Sequence, residues 1–265
     1  MKIGFIGTGN MANAIIKGIL SARIMENKDI GVFDIDRNKS VKCEEAYGVC
    51  PANSLDTLIE NSETIILAVK PNVFASLLPQ IGKELEKKKP LIISIAAGKS
   101  IEFIENLLPY NAAVVRVMPN INAKVAGAMC AYCTNHEVTE EQKIFVTEIF
   151  NAIGHIIALD ESYFPLFGVL AGSSPAFAYM FIDSLARAAV KNGMNKKVAL
   201  QIAAQTVYGS AKMILESDEH PWELIDQVCS PGGTTIEGIC QLQECGLEAA
   251  VTKAVDAGVA KDKKI

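Results

Sequence analysis

Over roughly its first 160 residues the chain alternates short apolar runs with longer stretches in which apolar positions recur every three to four residues. The runs at 2–6, 30–33, 64–69, 91–96, 113–117, 129–134 and 155–159 read as strands, with helical patterns between them. This alternation predicts an α/β fold built on a doubly wound, mostly parallel sheet. After Asp160 the strand signal stops, and helical periodicity takes over at 174–191, 196–216, 222–228, 235–245 and 247–261. The pattern therefore predicts two domains, a sheet domain at 1–160 and an all-helical domain at 161–265. The helical faces are rich in Ala, Val and Ile for so small a domain, and the expectation is that they bury surface against a second copy of the chain.

One stretch imitates a membrane span, because residues 162–182 carry no charge. Pro165, Gly168 and Gly172-Ser173-Ser174-Pro175 are expected to break it in two, with Pro175 opening the second helix behind a serine cap. The second piece then continues through Asp183, Arg187 and Lys191, as a partly buried interface helix does. Half of the 265 residues are hydrophobic and the formal net charge is −5, with basic residues scattered, so a sizeable core is available and no nucleic-acid footprint appears. The chain opens directly on strand-forming residues without a secretory n-region, and seven irregularly spaced cysteines make no disulfide framework. A cytoplasmic protein with reduced thiols is expected, with neither membrane nor nucleic acid as partner. The only C-x-x-C, Cys130 to Cys133, lies in an apolar strand-like run without other ligands and reads as packing; no metal site is expected.

The first strand runs straight into Ile6-Gly7-Thr8-Gly9-Asn10-Met11-Ala12, a G-x-G-x-x-A that opens a helix. Gly7 suits a tight turn, Gly9 a close backbone approach to a pyrophosphate, and small Ala12 close packing of helix on strand. Asp34, at the end of the next apolar run, supplies the acidic residue of a dinucleotide fingerprint. Ligands of a doubly wound sheet bind beyond the C-terminal strand ends, which directs attention to Ala68-Val69-Lys70-Pro71, to Ser94-Ile95-Ala96-Ala97-Gly98 and to Arg116-Val117-Met118-Pro119-Asn120. Ala96, Ala97 and Gly98 leave room for a flat nicotinamide ring. Lys70 reads either as a surface charge or as a neighbour of the cofactor, and its place at a strand end favours the second.

Near the C-terminal end, Ser230-Pro231-Gly232-Gly233-Thr234-Thr235 runs into a helical pattern. Pro231 fixes φ, the glycines free the backbone, and Thr234 or Thr235 is expected to cap the helix. The turn reads as a cradle for a carboxylate or as an ordinary helix-to-helix turn.

With Gly4 to Met11, Ala68 to Pro71, Ser94 to Gly98, Gly172 to Ala176, Gly209 to Met213 and above all Ser230 to Glu237, the chain resembles the pyrroline-5-carboxylate reductase family over essentially its whole length. The resemblance implies a Rossmann domain joined to a helical dimerisation domain. It further implies NADPH or NADH as hydride donor, 1-pyrroline-5-carboxylate as substrate, proline as product, and an active site completed near the interface of two chains. Ser230, Gly232, Gly233, Thr234 and Thr235 then hold the substrate carboxylate, and the Thr235 hydroxyl bonds the imine nitrogen. A protonated imine needs no further general acid, in keeping with the place of His136, His155 and His220 outside the site loops.

Asp218 and Gln227 fall at positions that the resemblance puts near the proline pocket and the cofactor. His220 reads as a neighbour of a helix cap, and Asn53 is a loose match to an adenosine-contacting asparagine. Ile121-Asn122 departs from the Thr-Pro of many relatives. Asp34 favours a ribose hydroxyl and hence NADH, whereas Arg37, Asn38 and Lys39 offer a 2′-phosphate site, so the coenzyme stays open. Rival functions are a related imine or β-hydroxyacid reductase, which usually needs a lysine on the first interdomain helix where this chain has only the distal Lys191, and a non-catalytic nucleotide sensor.

Overall fold

A computed structural model describes residues 3–262. Met1, Lys2 and residues 263–265, which the expected first strand and domain spans include, lie outside them. The strands are β1 (Ile3–Ile6), β2 (Ile30–Phe33), β3 (Cys50–Pro51), β4 (Thr64–Leu67), β5 (Leu91–Ser94), β6 (Val114–Met118), β7 (Ala128–Thr134) and β8 (Gly154–Ala158). They form one sheet in the order β3-β2-β1-β4-β5-β6-β7-β8. All neighbours are parallel except β6 and β7, which are antiparallel. Each of the seven expected strands is present, and β3 is an addition. Two residues, one of them Pro51, are too few to show a period.

The unbroken apolar runs follow from cover on both faces of the sheet. Ile3, Phe5, Ile66, Leu91, Ile93, Val115 and Val117 enter one buried cluster, together with Ile15, Ile16 and Ile19 of α1 (Asn10–Ser21). Ile6, Ile65, Leu67, Ile92 and Val114 enter the other, with Leu78, Ile81 and Leu85 further along the chain. On this second face Arg116 occupies the next alternate position of β6 after Val114, where another aliphatic residue is the simple expectation.

The remaining helices are α2 (Arg37–Tyr47), α3 (Leu55–Glu60), α4 (Phe74–Lys88), α5 (Ile101–Glu105), α6 (Glu140–Asn151), α7 (Phe164–Phe167), α8 (Ser174–Lys191), α9 (Lys196–Glu216), α10 (Pro221–Val228), α11 (Thr234–Glu244) and α12 (Leu247–Asp262). The chain divides into a compact unit reaching Gly172, to which Asp262 also belongs, and a second unit at Ser173–Lys261. This division falls beyond the junction read near residue 160. The segment after β8 explains the difference, since Phe164, Phe167 and Ala171 pack on Ala131 of β7. In the helical unit, α8 and α9 meet through buried Ala186, Ala199 and Ala203.

The expected break at Pro165, Gly168 and Gly172 to Pro175 does not occur. Glu161–Lys191 is one helical run, long and apolar enough by composition to cross a membrane, with a π-helical turn at Gly168–Ser173. Pro175 is the second residue of α8, behind Ser173, whose side chain makes no capping bond. Pro175 has no N–H for the carbonyl four residues back, that of Ala171. Asn120 replaces it, its Nδ2 donating to the Ala171 oxygen at 2.8 Å while its Oδ1 accepts from the Met129 N–H at 3.3 Å. A buried side chain from the loop after β6 thus satisfies the carbonyl that proline orphans, and the helix continues.

Asn120→Ala strands both the Ala171 carbonyl and the Met129 N–H. The expected loss is about 2 kcal/mol of unfolding free energy, read from urea titration, whereas Asn122→Ala in the same loop stays within about 0.5 kcal/mol.

Candidate active site

The glycine loop sits where the strand order reverses, between β1 and β4. Gly7 has φ 98°, and a Cβ there would lie 2.8 Å from the Ala68 carbonyl oxygen, so the turn demands glycine on both counts. Its N–H donates to the Phe33 carbonyl at 2.7 Å, and the Ala68 N–H donates to that of Ile6 at 2.9 Å, which binds the loop to both neighbouring strands. Gly9 is the N-cap of α1 and offers no side-chain acceptor, leaving first-turn N–H groups of the helix uncapped. A Cβ on Gly9 would meet nothing within 4 Å. Asn13 holds the loop from inside, its Nδ2 donating to the carbonyls of Thr8 (2.8 Å) and Gly9 (2.9 Å).

A cavity of about 570 Å3 opens beyond these strand ends, with Ile6, Gly7, Gly9, Ala68, Val69 and Lys70 in its wall. Asp34, Lys39 and the apolar Ile35, Leu55, Val73 and Leu77 complete much of its outline. Uncapped helix donors, open space above Gly9 and apolar walls suit an anionic phosphate group joined to flat rings, so the residues present fit a dinucleotide. Ile35 is 98% exposed, an apolar side chain offered to whatever enters. The sequence reading missed both Ile35 and Asn13. Their signals were an isoleucine set between two aspartates after a strand end and a polar residue on the apolar run of α1.

Asp34 has a further role besides lining this cavity. Its Oδ2 accepts from the Thr8 N–H at 2.9 Å and the Thr8 hydroxyl at 3.1 Å, and its Oδ1 accepts from the Asp36 N–H at 3.0 Å. Buried Thr8 is therefore turned to Asp34 and forms no part of the cavity wall. Asn10 starts α1 at the surface, and Met11 packs against the core. Arg37, Asn38 and Asn53 are not in the wall, although Lys39 is.

Pro71, Ala97 and Gly98 line a neighbouring hollow with Asn72, Lys99 and Arg116, while Ala96 is buried beneath. The backbone turns at Gly98, whose φ is 70°. The Arg116 guanidinium lies 4.4 Å from the Phe164 ring centre and pairs with Glu161 at 2.8 Å.

In the helical unit, Ser230 and Gly232 are exposed, and Gly233 and Thr235 are half-buried. Neither threonine caps α11. Gly233 is the N-cap, with its N–H donating to the Ser230 carbonyl at 3.0 Å, and Thr234 is already the first helical residue. Past the cap, a threonine side chain no longer faces the first-turn N–H groups, which remain without a side-chain acceptor. His220, read as a neighbour of a cap, is itself the N-cap of α10, its Nδ1 accepting from the Trp222 N–H at 3.3 Å. Gln227 bonds to Glu219, and Asp218 is exposed between α9 and α10.

Cys130 and Cys133 point to opposite faces of β7, and burial pushes each thiol up to about 12. Among the described residues no group of His, Cys, Asp and Glu is placed to hold a metal ion.

A family model described as pyrroline-5-carboxylate reductase dimerisation matches residues 161–265. A second, described as NADP oxidoreductase, coenzyme F420-dependent, matches residues 2–98, the stretch that carries the glycine loop. Pyrroline-5-carboxylate reductase of Methanosarcina acetivorans is 39% identical over 264 residues, covering 100% of this chain and 97% of the relative. The chain belongs to the pyrroline-5-carboxylate reductase family.

Solved pyrroline-5-carboxylate reductases agree. That of Coxiella burnetii matches with a TM-score of 0.94 and 31% identity, covering 99% of this chain and 97% of its own. The Plasmodium falciparum pyrroline carboxylate reductase with NADP bound gives 0.87 and 31%, covering 100% and 97%. Pyrroline-5-carboxylate reductases are NAD(P)H-dependent oxidoreductases acting on the imine of pyrroline-5-carboxylate.

Because Gly9 faces open space, Gly9→Ala is expected to leave the melting temperature within about 2 °C yet weaken binding of NADH and NADPH at least tenfold by calorimetry. Gly7→Ala, which meets backbone, lowers both.

Proposed function

We propose that the protein reduces 1-pyrroline-5-carboxylate to L-proline in the cytoplasm, as a homodimer or higher oligomer whose active site lies near the interface of two chains. The likeness to pyrroline-5-carboxylate reductases over the full length carries this reading, and the glycine loop and the Ser230 to Thr235 turn support it. In this reading residues 1–160 hold the coenzyme, residues 161–265 form the dimer and bind substrate, and neither membrane nor nucleic acid takes part.

Bound NADH or NADPH supplies the hydride. Ile6, Gly7, Gly9, Asn10 and Met11 receive the pyrophosphate half at the start of α1, with Thr8 anchoring the loop from behind. Ala68, Val69, Lys70 and Pro71 border the coenzyme beyond β4, and Ala96, Ala97 and Gly98 leave space for the nicotinamide ring. Asp34 serves the adenosine ribose. Its carboxylate is held in place by Thr8 and Asp36, so its negative charge stands fixed in the cavity wall and opposes a 2′-phosphate.

Ser230, Gly232, Gly233 and Thr234 frame the substrate carboxylate, with uncapped N–H groups at the start of α11 as donors. The Thr235 hydroxyl, without a partner among the described residues, accepts from the protonated imine nitrogen and orients the C=N bond toward hydride. The positive nitrogen draws the incoming electron pair itself, which removes the need for a histidine.

The helical unit supports the oligomeric reading. Among the described residues its buried apolar side chains are Ala186, Ala199 and Ala203, while Met180, Ile202 and Leu215 are 75%, 51% and 85% exposed. Surfaces this apolar are expected to be covered by a second copy.

Oxidation of NADH or NADPH, followed by absorbance, is expected with pyrroline-5-carboxylate and not with a six-membered imine or a β-keto acid; coenzyme binding without oxidation would return the sensor reading. Thr235→Ala is expected to lower turnover about 10- to 100-fold with coenzyme affinity unchanged. Asp34→Asn keeps an acceptor for Thr8 but removes the charge, and the NADPH to NADH affinity ratio should rise about tenfold, the factor set by roughly 1.4 kcal/mol.

A further inference from the structure

Arg116 is out of place in β6. Its neighbours Val114, Val115 and Val117 are buried aliphatic residues, and Arg116 itself is only 7% exposed. A buried guanidinium is costly unless paired, and a valine would fill a strand position without that cost. The arginine is paired. Its Nη1 donates to Oε1 of Glu161 at 2.8 Å, and its face lies on Phe164.

The same Glu161 oxygen accepts the Ile101 N–H at 2.9 Å. Ile101 is the first residue of α5, a helix of 5 residues too short to hold itself. Ser100 caps it locally, accepting from the Phe103 N–H at 3.1 Å, and Glu161 caps it from 60 positions away. Between β5 and α5 runs Ile95 to Ser100. Its near end is tied by the Ile95 N–H to the Leu67 carbonyl at 3.3 Å and by the Ala96 N–H to the Ser94 hydroxyl at 3.4 Å. Its far end is tied by Glu161. In between, Ala97 and Gly98 are exposed, and a Cβ on Gly98 would meet nothing within 4 Å.

We infer that Arg116 and Glu161 are positioning residues: a buried pair that sets the far end of the Ala96–Ser100 loop and thereby the place of the nicotinamide end of the coenzyme. Arg116 holds the carboxylate, the carboxylate holds the start of α5, and α5 holds the loop. The inference rests on the proposed coenzyme-binding role of this loop. It adds a residue pair, joining β6 to the segment after β8, that acts through the loop it holds.

The two halves of the coenzyme separate this role from general damage, because the ADP-ribose half meets Gly7 and Gly9 on the other side of β4. Calorimetry would compare NADH with ADP-ribose, and NADPH with 2′-phospho-ADP-ribose. In Arg116→Met/Glu161→Leu no buried charge is stranded, so the fold is kept while Ile101 loses its acceptor. The expected result is about tenfold weaker binding of the dinucleotide with ADP-ribose binding within about twofold. Glu161→Gln, which leaves an acceptor but no counter-charge, is expected to move the same ratio about threefold, and it provides the reading if the double variant does not fold. Equal weakening of dinucleotide and fragment, or no change in either, overturns the inference. Wild-type protein that binds no dinucleotide overturns the coenzyme reading instead.

Discussion

Between the ends of β1 and β4 there is room for a hydrogen atom and not for a methyl group. Gly7 meets the Ala68 carbonyl there, and the carboxyl edge of the sheet is arranged around that approach. It lets the loop turn within hydrogen-bonding reach of β2 on one side and β4 on the other. It also sets the N-terminus of α1 over the point where the strand order reverses. A side chain at this position would push the loop outward and separate the uncapped helix donors from the cavity they face. The reversal itself leaves the crevice, since the connections from β1 and β4 lead toward opposite edges of the sheet.

Much of this was legible in the chain because it is local. Seven strands showed as apolar runs, since a strand covered on both faces has no polar register to interrupt it. The glycine loop showed because its turn, its close approach and its helix start fall within six residues. The features that escaped depend on residues far apart. Pro175 reads correctly as a helix breaker until Asn120, 51 positions away in the bond it makes, replaces the missing donor. Glu161 and Arg116 are separated by 45 positions, and neither has a neighbour that reveals the other.

The threonines after Gly233 illustrate a finer limit. The composition of the turn was right and its register was not, because a shift of one residue decides whether a hydroxyl faces the helix donors or the surroundings. Asp34 shows another. Its position in the fingerprint was readable, whereas its bonds to Thr8 and Asp36 were not, and they make the residue expected to meet the ribose a strut of the loop.

The alanine contact between α8 and α9 has a consequence for stability. Three small side chains bring two helices close but bury little area, so in the oligomer proposed above the helical unit gains its remaining stability as copies meet. The stability of that unit in such an oligomer depends on protein concentration. Dilution, which separates the copies, then lowers the stability of the helical unit without any change in its sequence.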